Sequence, residues 1–446
     1  MDALWLSRLQ FALTAGFHFI FPPLTIGLAW LIFWFMTRYK RTGDDFYRRL
    51  ARFWIRIFAV SFVVGVATGI TMEFQFGTNW SQYSRYVGDI FGAPLAAEGV
   101  LSFFLESTFL AVLVLGWDKV SVRVHWFSSL MVALGATLSA FWIIVANSWQ
   151  QTPAGFHIAN GRAELTSFWA AAFNPSMAVR FLHTVDGALI TGAFFMLGIS
   201  AWYLLKGRHV ECAKASLKLS LIVAFVASFI ELGLGDAHGK QIAKYQPAKL
   251  AAMEALFQTQ KGAPEVVIGI PDAKAKTVHA AIKVPGLLSL MAFGSAGAEV
   301  KGLDAFDEKD WPPVGICFFS FRAMLGLGMY FIAFSAFGVL LLLMKKAYTN
   351  RLFLSLAALT IPLPFLANEL GWVTAEVGRQ PWIVYNLLRT SEGYSATVPA
   401  VQVLISIIMF TAVYALLFAA WIFLLRKEVG RGPEEDASTQ KKEAQT

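Results

Sequence analysis

Charge is scarce in this chain and cysteine scarcer. Only 15% of the 446 residues are Asp, Glu, Lys or Arg, and two are cysteine. With so little charge to dress a surface, a water-soluble globule is excluded. Cys212 and Cys317 are far apart and outside any paired metal spacing or CxxCH motif, which removes a disulfide framework and covalently attached c-type haem. No internal repeat is strong enough to suggest an inverted-repeat transporter. Basic residues outnumber acidic ones, 37 to 29, yet the resulting charge of +8 is not gathered as a nucleic-acid binder would gather it.

Hydrophobic residues make up 57% of the chain, aromatic ones 15%, and the mean hydropathy is +0.57. Stretches of the ~20 apolar residues that cross a bilayer fall at about 11–35, 54–79, 92–117, 125–148, 180–205, 215–235, 317–344, 351–373 and 399–425. The expected fold is therefore an all-α integral membrane protein of about nine transmembrane helices. The first stretch is too long for a signal peptide and lacks its small-residue cleavage site, so it reads as a retained helix.

Arg38, Lys40, Arg41, Arg48, Arg49, Arg52 and Arg56 crowd the first connection, Lys119, Arg123, Lys206, Arg208, Lys345 and Lys346 fall in later odd-numbered ones, and Arg426 follows the ninth span. The second connection holds Arg85 and little else. By the positive-inside rule the N-terminus lies outside and the C-terminus inside. Four segments follow: helices one to six over 1–235, a long external loop over 236–316, helices seven to nine over 317–425, and a polar cytoplasmic tail over 426–446 that reads as disordered. The loop is long enough to cover a site at the outer face. Within it AKLAAMEALFQ, 248–258, has a helical pattern with Lys249 and Glu254 on its exposed side.

Ionisable groups inside apolar stretches are expensive in a bilayer unless compensated. His18 lies in FALTAGFHFIFPPLTIG, ahead of Pro22 and Pro23; a neutral imidazole suits haem iron, and a core histidine bonded to a neighbouring helix fits equally. His183 in RFLHTVDGA and Met324 in FRAMLGLG begin two odd-numbered spans and so share one side of the membrane, where a His/Met pair could ligate haem. Arg322, ~200° round the helix from Met324, could neutralise a propionate at the rim. Glu98 and Glu106 in APLAAEGVLSFFLESTF are ~12 Å apart along a helix with an offset of ~80°, a spacing suited to stations of a proton path, with Ser102, Ser107 and Thr108 adding hydroxyls. Glu73, in TMEFQFGTNW, sits near the outer end of its span. In NELGWVTAEVGRQPW, Trp372 and Glu376 share a helical face and Arg379 follows one turn later. A carboxylate can ligate iron, and a plain Glu376–Arg379 ion pair would explain the two charges alone.

Together these motifs resemble subunit I of the cytochrome bd quinol oxidases. The resemblance runs from SRLQFALTAGFHFIFPPLTIG through TGITMEFQFGTNW, GAPLAAEGVLSFFLEST, VANSWQQTPAG, RFLHTVDGA and FSFRAML to WVTAEVGRQPW, nearly the whole membrane part. It implies a haem-bearing catalytic subunit of a terminal respiratory oxidase that oxidises quinol outside, reduces O₂ to water with cytoplasmic protons, and generates proton motive force without a pump. His183 and Met324 would bind a low-spin haem b, and His18 and Glu376 would ligate a high-spin haem b and haem d, in either order. The ligands leave open whether haem d is replaced by a third haem b. Glu98, Glu106 and Ser107 match proton-route positions; Glu73, Asn147, Arg322, Trp372 and Arg379 match positions around the haems; Lys249 and Glu254 match quinol-binding residues. The partners implied are a second membrane subunit (subunit II), a small single-helix subunit, ubiquinol or menaquinol, O₂ and the lipid of a bacterial cytoplasmic (inner) membrane, with no nucleic acid. In two respects the chain departs from the pattern: its external loop is of the short form, and Asp186 lies one turn beyond His183. The competing classes are a proton-coupled transporter, which has no use for His18, His183 and Met324 together, and a haem protein that passes quinone electrons to another carrier.

Overall fold

In hydrocarbon every backbone N–H and C=O must bond within its own segment, which turns the apolar stretches into helices. The structure, a computed structural model, describes residues 2–434. Among them nine helical spans are long and apolar enough to cross a membrane, as the hydropathy pattern predicts. Residues 435–446 of the expected disordered tail lie outside the described residues.

The first span, Ala3–Thr42, is two helices, α1 (Ala3–Phe19) and α2 (Phe21–Thr42), broken at Ile20. Pro22 and Pro23 cause the break, since neither has an N–H for the preceding turn. Next come α3 (Asp45–Thr78) and a third span of α4 (Ser81–Ala97), a π-turn (Glu98–Phe103) and α5 (Phe104–Leu115). α6 (Val122–Gln151) leads to a small hairpin, β1 (Phe156–Ala159) with β2 (Arg162–Leu165), and to a short helix, α7 (Phe168–Ala172). The fifth and sixth spans are α8 (Met177–Lys206) and α9 (Val210–Tyr245). α9 continues ten residues past the end predicted at 235, so Asp236, His238, Lys240 and Lys244 belong to its last turns. Hydropathy marks where a helix leaves hydrocarbon, not where it unwinds.

The connection after α9 is folded. It contains α10 (Pro247–Met253), β3 (Gln260–Lys261), β4 (Glu265–Asp272), β5 (Thr277–Val284), α11 (Leu287–Phe293) and β6 (Glu299–Val300). β4 and β5 pair antiparallel, as do β3 and β6. Its own apolar cluster unites Leu250, Met253, Phe257, Val266 and Leu303 with Phe318 of the next span. That span is α12 (Val314–Leu343); the eighth comprises α13 (Arg351–Leu359) and α14 (Leu363–Val377), interrupted at Pro362. β7 (Trp382–Val384), β8 (Leu388–Arg389) and α15 (Thr390–Gly393) precede the last span, α16 (Ala400–Arg431), which stays helical beyond its predicted end at 425.

Polar side chains tie the spans together where lipid offers no hydrophobic drive. Asn79 donates to Gln10 at 2.6 Å and Gln75 to Thr14 at 2.6 Å, joining α1 to α3, and Tyr414 of α16 reaches Thr14 at 3.3 Å. At the opposite end the last turns of α16 are held by Arg56, which donates to Glu428 at 2.9 Å and the Gly432 carbonyl at 2.8 Å, and by Arg208, which donates to the Gly430 carbonyl at 2.8 Å.

Candidate functional site

The spans enclose a cavity of about 1420 Å³. A pocket for one drug-sized molecule is roughly 300–1,000 Å³, so this space suits more than one large group. Its wall carries His18, Glu73, Glu98, Glu106, Asn147, His183, Lys249, Glu254, Met324, Trp372, Glu376 and Arg379, twelve of the fourteen residues singled out in the sequence. Ser107 and Arg322 are not on that wall. Arg322 instead pairs with the loop, and Ser107 sits beside Glu106 on α5.

His18 is held by hydrogen-bond accounting. Its Nδ1 lies 3.0 Å from Thr68 Oγ1 on α3, and that hydroxyl is within 2.9 Å of the Val64 carbonyl and 3.0 Å of the Gly65 carbonyl. A hydroxyl has one hydrogen. Thr68 gives it to the backbone, so it accepts from Nδ1–H, and Nε2 is left with the free lone pair a metal needs. A methyl at position 69 would come within 3.1 Å of the ring, so Gly69 makes room for this orientation.

His183 on α8 has Nδ1 3.0 Å from Glu231 Oε1 on α9, out of line for a full hydrogen bond, and its ring centre is 5.4 Å from that of His238. Met324 of α12, also on the cavity wall, faces Gly371 of α14, where a Cβ would stand 3.0 Å from Sδ.

The Glu376 carboxylate is the most densely bonded group. Asn147 donates to Oε1 at 3.0 Å, Gln151 donates to the same oxygen at 3.2 Å, and Arg379 pairs with Oε2. Arg180 bonds Asn147 Oδ1 at 2.6 Å and stands 4.0 Å from Glu376. Lys249 arrives from the loop, donating to Gln151 at 2.6 Å and Gln246 at 2.9 Å. Three buried cationic side chains thus surround one carboxylate, and Arg180 Nε and Arg379 Nη1 have no hydrogen-bond partner. Buried charge is tolerated when paired. The surplus fits groups that bring their own carboxylates, as haem propionates do, and the imidazole, thioether and carboxylate donors around the cavity fit haem iron. Burial, and next the charge of Arg180, pushes the Lys249 amine well below its ordinary value, a state that an added anion would reverse.

Lys249 and Glu254 correct the sequence expectation. They are 1% and 4% exposed, not on a water-facing helix side. α10 ends at Met253 and turns its polar residues into the protein, because the loop folds back over α12. Glu254 shares Arg322 with Glu265, which lies 2.9 Å from the guanidinium. Two carboxylates on one cation leave negative charge in excess, and burial, then Glu265, pushes the Glu254 carboxyl up to about 8.

Glu98 accepts from Ser139 of α6 at 2.8 Å, and Glu106 packs against Gly135 one turn away on the same helix. The π-turn between the carboxylates winds fewer degrees per residue than an α-helix, which removes much of the ~80° offset calculated for regular helix. Glu73 is on the cavity wall but exposed. Sequence reasoning missed Arg180, Glu231, His238, Thr68 and Gln151. For Arg180 and Glu231 the signal was available, since each is ionisable within a predicted span; His238 fell beyond the predicted end of its span at 235, and Thr68 and Gln151 carry no charge to betray them.

The sequence profile described as "Cytochrome bd terminal oxidase subunit I" matches residues 6–433. The chain belongs to this family. Relatives include a cytochrome bd ubiquinol oxidase subunit 1 from Bacillus subtilis (strain 168), 42% identical over 98% of this chain and 95% of the relative. A cytochrome bd-II ubiquinol oxidase subunit 1 from Escherichia coli (strain K12) is 37% identical over 98% of each chain. Among solved structures, the bd oxidase of Geobacillus thermodenitrificans superposes with a TM-score of 0.90 at 31% identity, covering 97% of this chain and 99% of that one. A cytochrome bd subunit I is a multi-pass, haem-carrying component of a bacterial quinol:oxygen oxidoreductase, and it works with a second subunit.

Proposed function

We propose that the chain oxidises quinol at the outer membrane face and reduces O₂ to water with protons drawn from the cytoplasm, in a bacterial inner membrane. Protons are released on one side and consumed from the other, so charge crosses the bilayer without a pump element. In this reading the N-terminus is outside and the 236–316 segment covers the quinol site.

When bound, haem supplies the iron centres that carry electrons and bind O₂. His183 and Met324 would hold a low-spin haem b. His18, presenting Nε2, and Glu376 would hold the two oxygen-side haems, a high-spin haem b with haem d or a third haem b. Arg180 and Arg379 offer their unpartnered N–H groups to propionates, Trp372 packs beside Glu376, and Asn147 orients both Glu376 and Arg180. Arg322 organises the loop carboxylates rather than a propionate. Glu106, Ser107 and Glu98, with Ser139 beside the latter, relay protons along α5 and α6, and Glu73 stands at the outer end of that face. Lys249 and Glu254 serve the quinol head group, either ubiquinol or menaquinol. Subunit II and a small single-helix subunit complete the oxidase.

The cationic surplus around Glu376, on the same cavity as His18, His183 and Met324, carries this reading. The test is a reduced-minus-oxidised and a CO-difference spectrum of the assembled oxidase. Low-spin b, high-spin b and a red-shifted chlorin band are expected, and Glu376→Ala is expected to remove one oxygen-side signal. Retention of every haem signal in that variant would overturn the ligand role.

A further inference from the structure

We propose that the β4–β5 hairpin, together with α11, is seated in the headgroup–acyl boundary of the leaflet on its side of the membrane and docks on lipid there. The inference rests on the helices crossing a bilayer and is independent of the haem and quinol assignments.

Depth is the first observation. Arg322 donates to the Val266 carbonyl at 2.6 Å, fixing the base of the hairpin alongside α12. Arg322 is eight residues from Val314, the first of α12, or ~12 Å along the axis at 1.5 Å per residue. The 30 residues of α12 span ~45 Å against a hydrocarbon core of ~30 Å, so a centred helix overhangs by ~7 Å at each end. The Arg322 Cα therefore lies ~5 Å inside the hydrocarbon boundary, and because helical side chains tilt toward the N-terminus, its guanidinium and the Val266 carbonyl reach back toward that boundary.

Direction is the second. Lys276, at the tip, pairs with Glu308 and stands over the Trp311 ring at 5.2 Å, both in the segment that precedes α12. The hairpin thus climbs from a base near that boundary to a tip on the water side. In β4 the polarity follows the climb, from Val266 and Ile268 to Asp272, Lys274 and Lys276 at the turn; of the two charged residues at the base, Glu265 turns inward onto Arg322 and Lys283 stands opposite Val266.

The faces supply the third. Val266, Val278 and Ala281 turn toward the protein with Phe318 and Phe321. On the other face Ile268 and Ile282 are directly paired across the ladder and are 60% and 59% exposed. Leu290 and Phe293 of α11 add exposed apolar surface. A two-stranded hairpin with such a face is marginal in water, whereas aliphatic side chains at the base and lysines at the rim match the chemistry of a phospholipid boundary, with Lys283 long enough to snorkel.

The test uses the complete oxidase in liposomes, in a Cys212→Ser background, with an environment-sensitive fluorophore on Ile268→Cys, Ile282→Cys or Lys276→Cys. Haem spectra certify assembly of each variant. Phospholipid brominated on its acyl chains should quench the labels at 268 and 282 at least twofold more than the label at 276, and aqueous iodide should show the reverse order. Equal access of iodide to all three positions would overturn the proposal in favour of a solvent-exposed hairpin. Protection of 268 and 282 from both quenchers, with cross-linking to the second subunit, would overturn it in favour of a protein interface.

Discussion

One hydroxyl hydrogen decides how His18 meets the cavity. Thr68→Val removes the acceptor for Nδ1–H while keeping the shape, and loss of such a supporting partner costs on the order of 10–100-fold in metal affinity or activity. The variant should lose occupancy of one oxygen-side haem in the CO-difference spectrum, and Thr68→Ser should restore it. Glu254 carries a second prediction. Its carboxyl sits near 8, above the ordinary value of 4.5, so the folded loop binds this proton more tightly than the unfolded chain does. Its stabilising contribution is complete below the ordinary value and is lost as pH rises through about 8. Limited proteolysis of the 246–313 segment should accelerate between pH 7 and 9 in wild type. In Glu265→Gln the onset should move, because one of the two carboxylates competing for Arg322 is gone and the Glu254 carboxyl falls toward its ordinary range. His18, Glu376 and Arg379 could be picked out in the sequence because charge or imidazole inside an apolar run is costly. Thr68 and Gln151 could not, since a hydroxyl or amide in a helix is common and only its partner gives it meaning.

Within the third span, the π-turn over Glu98–Phe103 sets the relation between two carboxylates. Deleting Gly99 removes the extra residue together with the wide turn and should leave Glu106 beside Gly135, whereas inserting one alanine after Phe104, in regular helix, should rotate Glu106 by ~100° away from it. Turnover of the insertion variant with quinol should fall by roughly 100-fold or more, in the range associated with removing a positioned proton-transfer group, while the haem spectrum is kept. Stopped-flow reduction in the absence of O₂ would separate this from a fault in quinol oxidation, which should run at the wild-type rate. Hydropathy located the span without its internal irregularity, because the motif EGVLSF has no proline and nothing in its composition distinguishes a wide turn from a regular one. The opposite error occurred at α10. An amphipathic pattern says that one side of a helix is polar, and in an isolated helix that side faces water; here the polar side faces Arg322, Gln151 and the Glu376 cluster.

At the scale of the molecule, the number and order of the spans were legible in apolar run length. The extensions of α9 and α16 were not, because polar helical turns outside hydrocarbon resemble loop. The inside and outside assignment makes a direct forecast: alkaline phosphatase inserted after Lys274 should be active, and a fluorescent protein fused at the C-terminus should fluoresce. Inactive phosphatase with a fluorescent C-terminal fusion would mean that the number of crossings between those points is even.

The cavity has a consequence for the life of the chain in a cell. Unfilled apolar space forfeits the contacts its lining would otherwise make, and a cavity of about 1420 Å³ is large enough for that loss to weigh against the small net stability of a fold. The prosthetic groups are then as much the filling of the fold as its chemistry. Chains made without haem would then be better protease substrates, so the lifetime of the subunit in a pulse-chase should shorten when haem synthesis is blocked.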